Sequence, residues 1–467
     1  MGRLVAISNR TAAGSAKAGG LAVAVWDALV ESRGVWYGWS GDVVEQTPRG
    51  VEMVVEDGVE FALTDLTHEE HDGFYLGFSN RALWPVLHYR TDLAYFDEDE
   101  FEQYVDVNAR FSRLVAPRLL DDDMVWVHDY HFFLLGQDLR NEGWEGRTGY
   151  FLHVPFPPPE VFRTVPHHHR LARALCAYDV IGLQTEMDRR NLEHYFIDEL
   201  GAERLDEGLF KVAGRTIRIR SYPIGIDAGE FARLATEERA QGAAKRLSQF
   251  LQDRDLILGV DRMDYSKGIP NRFDAVGCLL DHYPEHRGSI SYTQIAPPSR
   301  SKVEEYQHLR SQLDKLAGRI NGDYGDLDWI PIRYLARPYP REELAGIFRI
   351  AKVGFVTPLH DGMNLVAKEY VAAQDPENPG VLVLSEFAGA AEQMREGAVL
   401  VNPHDKNGMA DRLHEALKMP LDERKRRWKV MMDQVCAQDI AWWRETFLDD
   451  LTHCHDNTDD RVVQLKP

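Results

Sequence analysis

Short apolar runs rich in β-branched residues alternate along the chain with longer stretches of helical periodicity. They are found in both halves: LVAIS from Leu4, MVWVHD from Met124, GYFLHV from Gly149, DVIGLQ from Asp179, LILGVD from Leu256, ISYTQIA from Ile290, VGFVTP from Val353 and VLVLSE from Val381. Uninterrupted apolar runs are typical of strands buried on both faces of a parallel sheet. Because strands and helices alternate in two series, the pattern predicts an α/β protein with two doubly wound halves.

The two halves meet near SYPIGID, which covers Ser221–Asp227. A charged stretch without a strand pattern follows up to about Asp255, consistent with a helix and a linker before the next strand. The stretch Leu421–Leu451 is helical in pattern, and its tryptophans are expected to pack against a core. A polar tail ends the chain.

Composition and charge narrow the class of protein. With 44% hydrophobic and 28% charged residues among 467, the chain resembles an ordinary globular protein. The 54 Lys and Arg against 75 Asp and Glu give a net charge of −21, which argues against nucleic-acid or membrane partners but allows a small anion in a locally basic pocket. Four scattered cysteines, no long apolar span and no signal-peptide core favour a cytoplasmic protein without a zinc site.

Candidate ligand-binding residues are sought where strands end, because open α/β sheets bind ligands beyond the carboxyl ends of their strands. Arg10 ends the first predicted strand, and Gly20 begins the helical run after it. Glycine at a helix N-terminus lets backbone amides approach an anion, and Arg10 adds a fork of donors. These residues alone fit a plain turn equally well.

The segment DGMNLVAKE, which covers Asp361–Glu369, follows the strand VGFVTP and is expected to begin a helix. On one helix, residues eight apart are separated by about 12 Å along the axis and by about 80° in rotation. Asp361 would then bind sugar hydroxyls and Glu369 the ribose of a nucleotide sugar, with the amides near Asn364 and Leu365 at the pyrophosphate. An N-cap at Asp361 and a solvated Glu369 are equally consistent with the sequence.

Basic residues follow the two preceding strands of this half. Arg262 and Lys267 lie in RMDYSKG, and Arg300 follows the next strand, in APPSR. Two cations in a loop between strand and helix suit the neutralisation of a departing diphosphate without a metal ion. Exposed basic residues are the ordinary alternative, but the position at a carboxyl-end loop favours function.

Polar and aromatic residues follow the strands of the first half. Asp129 in HDYH could accept a proton or orient a hydroxyl, and His153 in HVPFP could donate to a sugar or a phosphate. WYGWSG and FYLGFSNRALWP contain Trp39, Tyr75 and Trp84, the residue type that packs on sugar faces. Core packing is the commoner role for such aromatics, and a histidine at a strand end is often only a hydrogen-bonding residue.

Together and in this order, these motifs resemble the trehalose-6-phosphate synthases, a family of retaining glycosyltransferases with the two-domain GT-B architecture. The matching strings are SNR, AGGLAV, WYGWSG, FSNRALWP, HDYH, FLHVPFP, YPIGID, RMDYSKG, TQIAPPSR, AGRING, DGMNLVAKEY, LSEFAGAA and VNPHD. They run from residue 8 to about 405, and RMDYSKG and DGMNLVAKEY are far more specific than a lone glycine-rich loop.

The resemblance implies two Rossmann-like domains with the active site in the cleft between them. The expected ranges are 1–229 for an acceptor-binding domain, 230–440 for a nucleotide-sugar-binding domain, and 441–467 for a C-terminal helix packing on the first domain plus the polar tail. It further implies transfer of glucose, with retention, from UDP-glucose (or GDP- or ADP-glucose) to glucose 6-phosphate, by front-face attack in which the leaving phosphate takes the proton. It implies that the reaction needs no metal ion or other cofactor. It also implies that the chain forms a homodimer or a homotetramer.

The resemblance also assigns residue roles. The expected donor-binding residues are Gly20, His153, Arg262, Lys267, Asp361, Asn364, Leu365, Val366 and Glu369. The expected acceptor-binding residues are Arg10, Trp39, Tyr75, Trp84, Asp129 and Arg300. The expected catalytic residues are Asp129, His153, Arg262, Lys267 and Asp361.

Two alternatives stay open. One is a pseudo-glycosyltransferase that joins cyclitols, and the other is a catalytically silent sugar-phosphate sensor on the same fold. Retention of the donor cations and of the residues fitted to a sugar phosphate favours the sugar reaction. The chain differs from the usual family pattern at three neighbours of the proposed contacts: Asp261 replaces Glu, Met263 replaces Leu and His360 replaces Arg. These differences concern the details of donor binding and not the type of reaction.

Overall fold

The computed structural model describes residues 2–14, 20–299 and 304–454, without the side chains of 20–24 and 304. Its strands are β1 (Leu4–Arg10), β2 (Val35–Val44), β3 (Glu52–Glu56), β4 (Val59–Thr67), β5 (Met124–His128), β6 (Thr148–Phe151), β7 (Val180–Leu183), β8 (Glu203–Asp206), β9 (Leu209–Val212), β10 (Arg215–Ser221), β11 (Asp255–Val260), β12 (Ile290–Ile295), β13 (Ile332–Leu335), β14 (Val353–Val356), β15 (Val381–Ser385) and β16 (Val399–Val401). All eight strands predicted from the apolar runs are confirmed.

Helices follow most of the strands. They are α1 (Gly20–Ser32), α2 (His68–Glu70), α3 (Trp84–Leu87), α4 (Glu98–Val115), α5 (Leu135–Asn141), α6 (Pro159–Phe162), α7 (His168–Leu175), α8 (Glu186–Leu200), α9 (Ala228–Leu234), α10 (Glu238–Leu251), α11 (Ile269–His282), α12 (Glu304–Tyr324), α13 (Arg341–Ile350), α14 (Leu365–Ala373), α15 (Ala391–Met394), α16 (Lys406–Lys418), α17 (Leu421–Ala437) and α18 (Ile440–Thr452). A π-helical segment covers His71–Leu83, and 3₁₀ turns cover Thr91–Leu93, Ala116–Arg118, Tyr130–Phe132, Tyr265–Lys267 and Pro284–His286.

The chain divides into two compact units. The first unit contains the chain up to Pro223 together with the residues from Ala441 onward, and the second unit is Ile224–Ile440. The sheet of the first unit has the order β3-β4-β2-β1-β5-β6-β7-β10-β9-β8. It is parallel from β4 to β10, with antiparallel strands at both edges.

The sheet of the second unit has the order β13-β12-β11-β14-β15-β16, and all its pairings are parallel. This is the 3-2-1-4-5-6 order of a Rossmann fold. The chain leaves β11 toward β12 and leaves β14 toward β15, in opposite directions along the sheet. A crevice is therefore expected where the carboxyl ends of β11 and β14 lie side by side. In the first unit, the same reversal occurs between β1 and β5.

The last described helix, α18, belongs to the first unit through its side chains. Trp443 and Phe447 are fully buried, and their rings lie 5.0 and 4.8 Å from the ring of Trp126 on β5. Asp450 accepts a hydrogen bond of 2.7 Å from the Tyr222 hydroxyl. The polar tail lies outside the described residues. No described helix has the length and apolar character needed to cross a membrane.

Candidate active site

The carboxyl ends of β11 and β14 bring a cation and a carboxylate together in the second unit. Lys267 follows β11, Asp361 follows β14, and Lys267 Nζ lies 2.5 Å from Asp361 Oδ2. The two side chains are only 13% and 8% exposed, so this ion pair is largely removed from water. Arg262, in the same loop as Lys267, is exposed. We call these residues, with α14 and its Glu369, the β11–β14 site.

The expectation that Asp361 and Glu369 share one helix is wrong. Asp361 donates its backbone amide to the Phe387 carbonyl at 3.0 Å, so it belongs to a short extended bridge ahead of the helix. Asn364 then takes a left-handed backbone with φ of +62° and caps α14, its side-chain oxygen accepting from the Ala367 amide at 3.3 Å. The cap is therefore Asn364 and not Asp361, because a left-handed residue cannot continue a helix.

The start of α14 faces the ion pair through its cap. The Asn364 side-chain amide donates to Asp361 Oδ2 at 3.0 Å, so the same carboxylate oxygen accepts from Lys267 and Asn364. The amides of Leu365 and Val366 begin the helix, where backbone N–H groups have no acceptor within the helix. Together with the helix dipole, these amides make the start of α14 suitable for a phosphate.

A buried arginine that the sequence did not reveal holds the Lys267 loop. Arg272 on α11 is 0% exposed, yet it donates to the backbone carbonyl of Lys267 at 2.7 Å and to Asp261 at 2.6 Å. Its Nε donates to the Thr357 hydroxyl at the end of β14, at 3.0 Å. Burial raises the pKa of Asp261, against the opposing charge of Arg272. Arg272 thus ties the loop after β11 to the strand β14.

Further along α14, Lys368 and Glu369 have different environments. Lys368 is 2% exposed, its Nζ donates to the Ile224 carbonyl at 2.6 Å, and burial lowers its pKa to about 7. Glu369 is partly buried, and desolvation raises its pKa while the charge of Arg341 opposes the shift. Glu369 is therefore the carboxylate of α14 that a ligand can reach, about one turn after the helix begins.

In the first unit, Asp129 and His153 meet at the carboxyl ends of β5 and β6. Asp129 has a positive φ of 75°, and its Oδ1 accepts the backbone amide of His153 at 3.3 Å. His153 Nε2 lies 3.1 Å from His128 Nδ1, and the Gln184 amide lies 3.3 Å from His153 Nδ1. Burial lowers the pKa of His153 far below its usual value and that of His128 to about 3, so both rings are neutral.

The ring nitrogens of His153 therefore already have partners inside the protein. A contact between this ring and a sugar requires one nitrogen to exchange its partner. His128 and Gln184 were not among the predicted site residues. The only sequence signal was the position of His128 in HDYH, directly before Asp129.

Arg10 lies on an aromatic surface at the end of β1. Its guanidinium carbon is 5.3 Å from the ring centre of Trp39, which in turn lies 5.4 Å from Tyr75. Gly41 makes this approach possible, because a Cβ there would lie 2.1 Å from an Arg10 nitrogen, and its φ is +104°. Tyr75 stacks at 6.0 Å on His131, which sequence reasoning also missed.

Trp84 belongs to the same cluster of aromatic rings and is itself buried. Its ring lies 5.6 Å from Tyr130, which lies 4.1 Å from His131. Tyr75 lies in the helical segment His71–Leu83, two residues before the kink at Gly77. We call Arg10, Trp39, Tyr75, Trp84 and Asp129 the β1–β5 site. Gly20 is the first residue of α1, after β1, and Arg300 lies outside the described residues.

The model of glycosyltransferase family 20 matches residues 5–453. The chain belongs to this family. A trehalose-6-phosphate synthase of Sinorhizobium fredii is 45% identical over 462 residues, which cover 98% of this chain and 99% of that protein.

Two solved structures extend the family 20 comparison. One is the UDP-forming alpha,alpha-trehalose-phosphate synthase of Burkholderia xenovorans in complex with glucose-6-phosphate. It has a TM-score of 0.93 at 47% sequence identity, and the match covers 97% of this chain and 100% of that chain. An E. coli structure bound with UDP-2-fluoro glucose has a TM-score of 0.93 at 44% sequence identity. The match covers 96% of this chain and 98% of the E. coli chain. The chain is thus a glycosyltransferase, and its two units with parallel sheets form a GT-B fold.

Proposed function

We propose that the chain transfers glucose, with retention of the anomeric configuration, from UDP-glucose to glucose 6-phosphate, giving trehalose 6-phosphate and UDP. The observation that carries the proposal is the Lys267–Asp361 pair beside the start of α14. It combines a cation for phosphate, a carboxylate for sugar hydroxyls and a helix N-terminus for the pyrophosphate. Curated relatives named trehalose-6-phosphate synthase support the proposal at 45 to 46% identity.

The β11–β14 site binds the donor. Lys267 and Arg262 neutralise the diphosphate, and the amides of Leu365 and Val366 contact its oxygens. Asp361 accepts hydrogen bonds from glucose hydroxyls, and Glu369 accepts from the ribose. The bound UDP-2-fluoro glucose of the E. coli structure supports a nucleotide-sugar donor with uracil as its base.

The β1–β5 site binds the acceptor. The guanidinium of Arg10, supported by the ring of Trp39, meets the phosphate of glucose 6-phosphate, with Arg300 as a second cation. Tyr75 and Trp84 contact the sugar, and Asp129 orients its reacting hydroxyl. The glucose-6-phosphate complex of the Burkholderia xenovorans enzyme supports this acceptor.

The reaction proceeds on one face of the donor glucose. The bond from the anomeric carbon to the diphosphate breaks, a bond to the acceptor hydroxyl oxygen forms, and the hydroxyl proton moves to a phosphate oxygen of the leaving UDP. Neutral His153 and the Asp361 oxygen shared by Lys267 and Asn364 are poorly suited to nucleophilic attack. The site instead directs its charge at the leaving group, where charge develops.

The test is an assay of the purified chain with glucose 6-phosphate and each of UDP-, GDP- and ADP-glucose. We expect UDP-glucose to be the best donor, with UDP and trehalose 6-phosphate released in equal amounts. Lys267→Met should lower kcat/KM by about 100-fold or more, as removal of one charge-stabilising group does elsewhere. Lys315→Met, a lysine on α12, is the matched control. Absence of nucleoside diphosphate release with every donor would contradict the proposal.

We further propose that the chain is cytoplasmic and forms a homo-oligomer. The free thiols of Cys176, Cys278 and Cys436 support a reducing compartment. The family resemblance supports a dimer or tetramer. Light scattering of the purified chain gives its mass, and a value near 53.4 kDa would contradict the oligomer.

A further inference from the structure

Three side chains with metal-ligating atoms meet in the second unit, at the opposite end of α11 from Lys267. Glu285 and His286 lie in the turn after α11, and His414 lies on α16. His286 Nε2 is 3.0 Å from His414 Nδ1, which is 3.9 Å from Glu285 Oε1. All three ligand atoms lie within 4.8 Å of one another. Because α11 has 14 residues, the cluster is about 20 Å from the Lys267 loop.

The two imidazoles are spaced as they are around a tetrahedral ion. Two histidines that bind one Zn²⁺ at about 2.05 Å place their ring centres roughly 5.2 Å apart and their ligand nitrogens about 3.3 Å apart. Here the ring centres of His286 and His414 are 5.2 Å apart. The two nitrogens now face each other across 3.0 Å, so both rings must turn before their lone pairs point at one ion.

The surroundings hold the cluster in place and leave one ligand adjustable. Tyr283 stacks on His414 with ring centres 3.9 Å apart, and its hydroxyl donates to Asp411 at 2.9 Å. His286 is buried, whereas the Glu285 side chain is 49% exposed and can move toward an ion. Lys418 and Asp255 are the other charged groups that act on His286, and their charges oppose each other.

We propose that Glu285, His286 and His414 bind one Zn²⁺ ion, with water as the fourth ligand. Two imidazoles and a carboxylate form a donor set that Zn²⁺ accepts readily. The ion joins the turn after α11 to α16 and so steadies α11, whose buried Arg272 supports the Lys267 loop. It acts on stability and not on the transfer reaction. The proposal departs from the expectation of no zinc site, which rested on the scattered cysteines, whereas His286 and His414 are 128 residues apart and share no motif.

Equilibrium dialysis of the full-length chain against Zn²⁺, followed by metal analysis, tests the proposal. The wild type is compared with His414→Ala, with Glu285→Gln, and with the control His282→Ala, an exposed histidine at the end of α11. We expect the wild type and the control to bind one ion more than His414→Ala. Glu285→Gln keeps the size of this exposed side chain but removes its charge, and it should weaken Zn²⁺ affinity at least about tenfold.

Thermal unfolding provides the second measurement. Zn²⁺ should raise the unfolding temperature of the wild type and of His282→Ala, but not of His414→Ala, because an ion that binds only the folded state stabilises it. In a chelator, His414→Ala should unfold below the wild type, because it loses the stacking on Tyr283 and the hydrogen bond to His286. The effect of the ion is therefore measured as the shift that Zn²⁺ produces within each variant. Equal Zn²⁺ stoichiometry in the wild type and His414→Ala would overturn the proposal and leave a hydrogen-bonded histidine pair.

Discussion

Gly41 leaves room for the Arg10 guanidinium on the Trp39 ring. A single added methyl group, in Gly41→Ala, tests this. In Gly41→Ala the new Cβ would lie 2.1 Å from the guanidinium, and the backbone φ of +104° would be strained. We expect Arg10 to be displaced and the KM for glucose 6-phosphate to rise about tenfold, the equivalent of about 1.4 kcal/mol. Steady-state kinetics at saturating UDP-glucose measure the change.

Gly58→Ala is the matched control for backbone strain. Gly58 also has a positive φ, +84°, but a Cβ there meets no atom within 4 Å. Its variant should therefore keep the KM for glucose 6-phosphate. An equal rise in both variants would mean that strain, and not the Arg10 contact, causes the effect.

For single residues, the sequence predicted which loop contains each charged side chain better than it predicted the backbone conformation there. Lys267 and Asp361 were correctly placed after neighbouring strands, because the topology of a doubly wound sheet fixes that much. The helix start was wrong, since Asn364 takes a left-handed backbone that composition does not encode. Arg272 was missed because an arginine on an amphipathic helix is usually exposed, whereas here buried partners compensate its charge.

Among the elements, α11 depends on its buried ion pair. Arg272→Met leaves Asp261 as an uncompensated buried carboxylate, which typically costs about 3–5 kcal/mol. We expect a lower urea midpoint and, because Lys267 loses its support, a higher KM for UDP-glucose. Arg319→Met is the control, since Arg319 on α12 is 58% exposed and pairs with Asp274 of α11. Such a contact is expected to contribute less than about 1 kcal/mol. Equal losses in the two variants would contradict this assignment.

The ends of β5 and β6 make stability depend on pH. Burial holds the pKa of His128 near 3, against about 6.5 in the unfolded chain. Below pH 6.5 the unfolded chain therefore binds a proton that the native state does not, and stability falls as pH falls. His128→Gln cannot titrate, so it should lose about 2 kcal/mol less than the wild type between pH 6.5 and 4.5.

Urea midpoints across that pH range measure the difference in slope. The exposed His404, replaced by Gln, serves as the control and should follow the wild type. Parallel slopes for His128→Gln and the wild type would show that the pKa of His128 is not lowered in the native state.

The sequence predicted the strands that are uninterrupted apolar runs and missed the others, including β2, β4 and β10 in the interior of the first sheet. The apolar runs of β1, β5, β11 and β14 are buried on both faces, so burial and sequence pattern coincide. The edge strand β8, ERLD, is exposed at every residue, and β3 is mostly exposed. Their antiparallel pairing with β9 and β4 comes from tight turns, which leave no apolar signal to read.

For the whole molecule, the net charge does not determine the charge at the proposed binding sites. A net charge of −21 describes the solvated surface. The proposed anionic substrates are met by a few cations: Arg10 on the Trp39 ring, Lys267 in a largely buried ion pair, and the exposed Arg262. A net negative charge therefore argues against polyanionic partners but carries no information about a small anion in a crevice.

The chain also closes its first unit with its own C-terminal helix, which should make that unit sensitive to a distant segment of sequence. Phe447 is 0% exposed and lies 4.8 Å from Trp126 and 5.6 Å from Phe151, on the strands that end at Asp129 and His153. Phe447→Ala should lower the free energy of unfolding by about 3–5 kcal/mol. Phe250→Ala, at a 41% exposed phenylalanine, should cost less than about 1 kcal/mol. Urea midpoints that fall equally would show that α18 contributes no more than a surface contact.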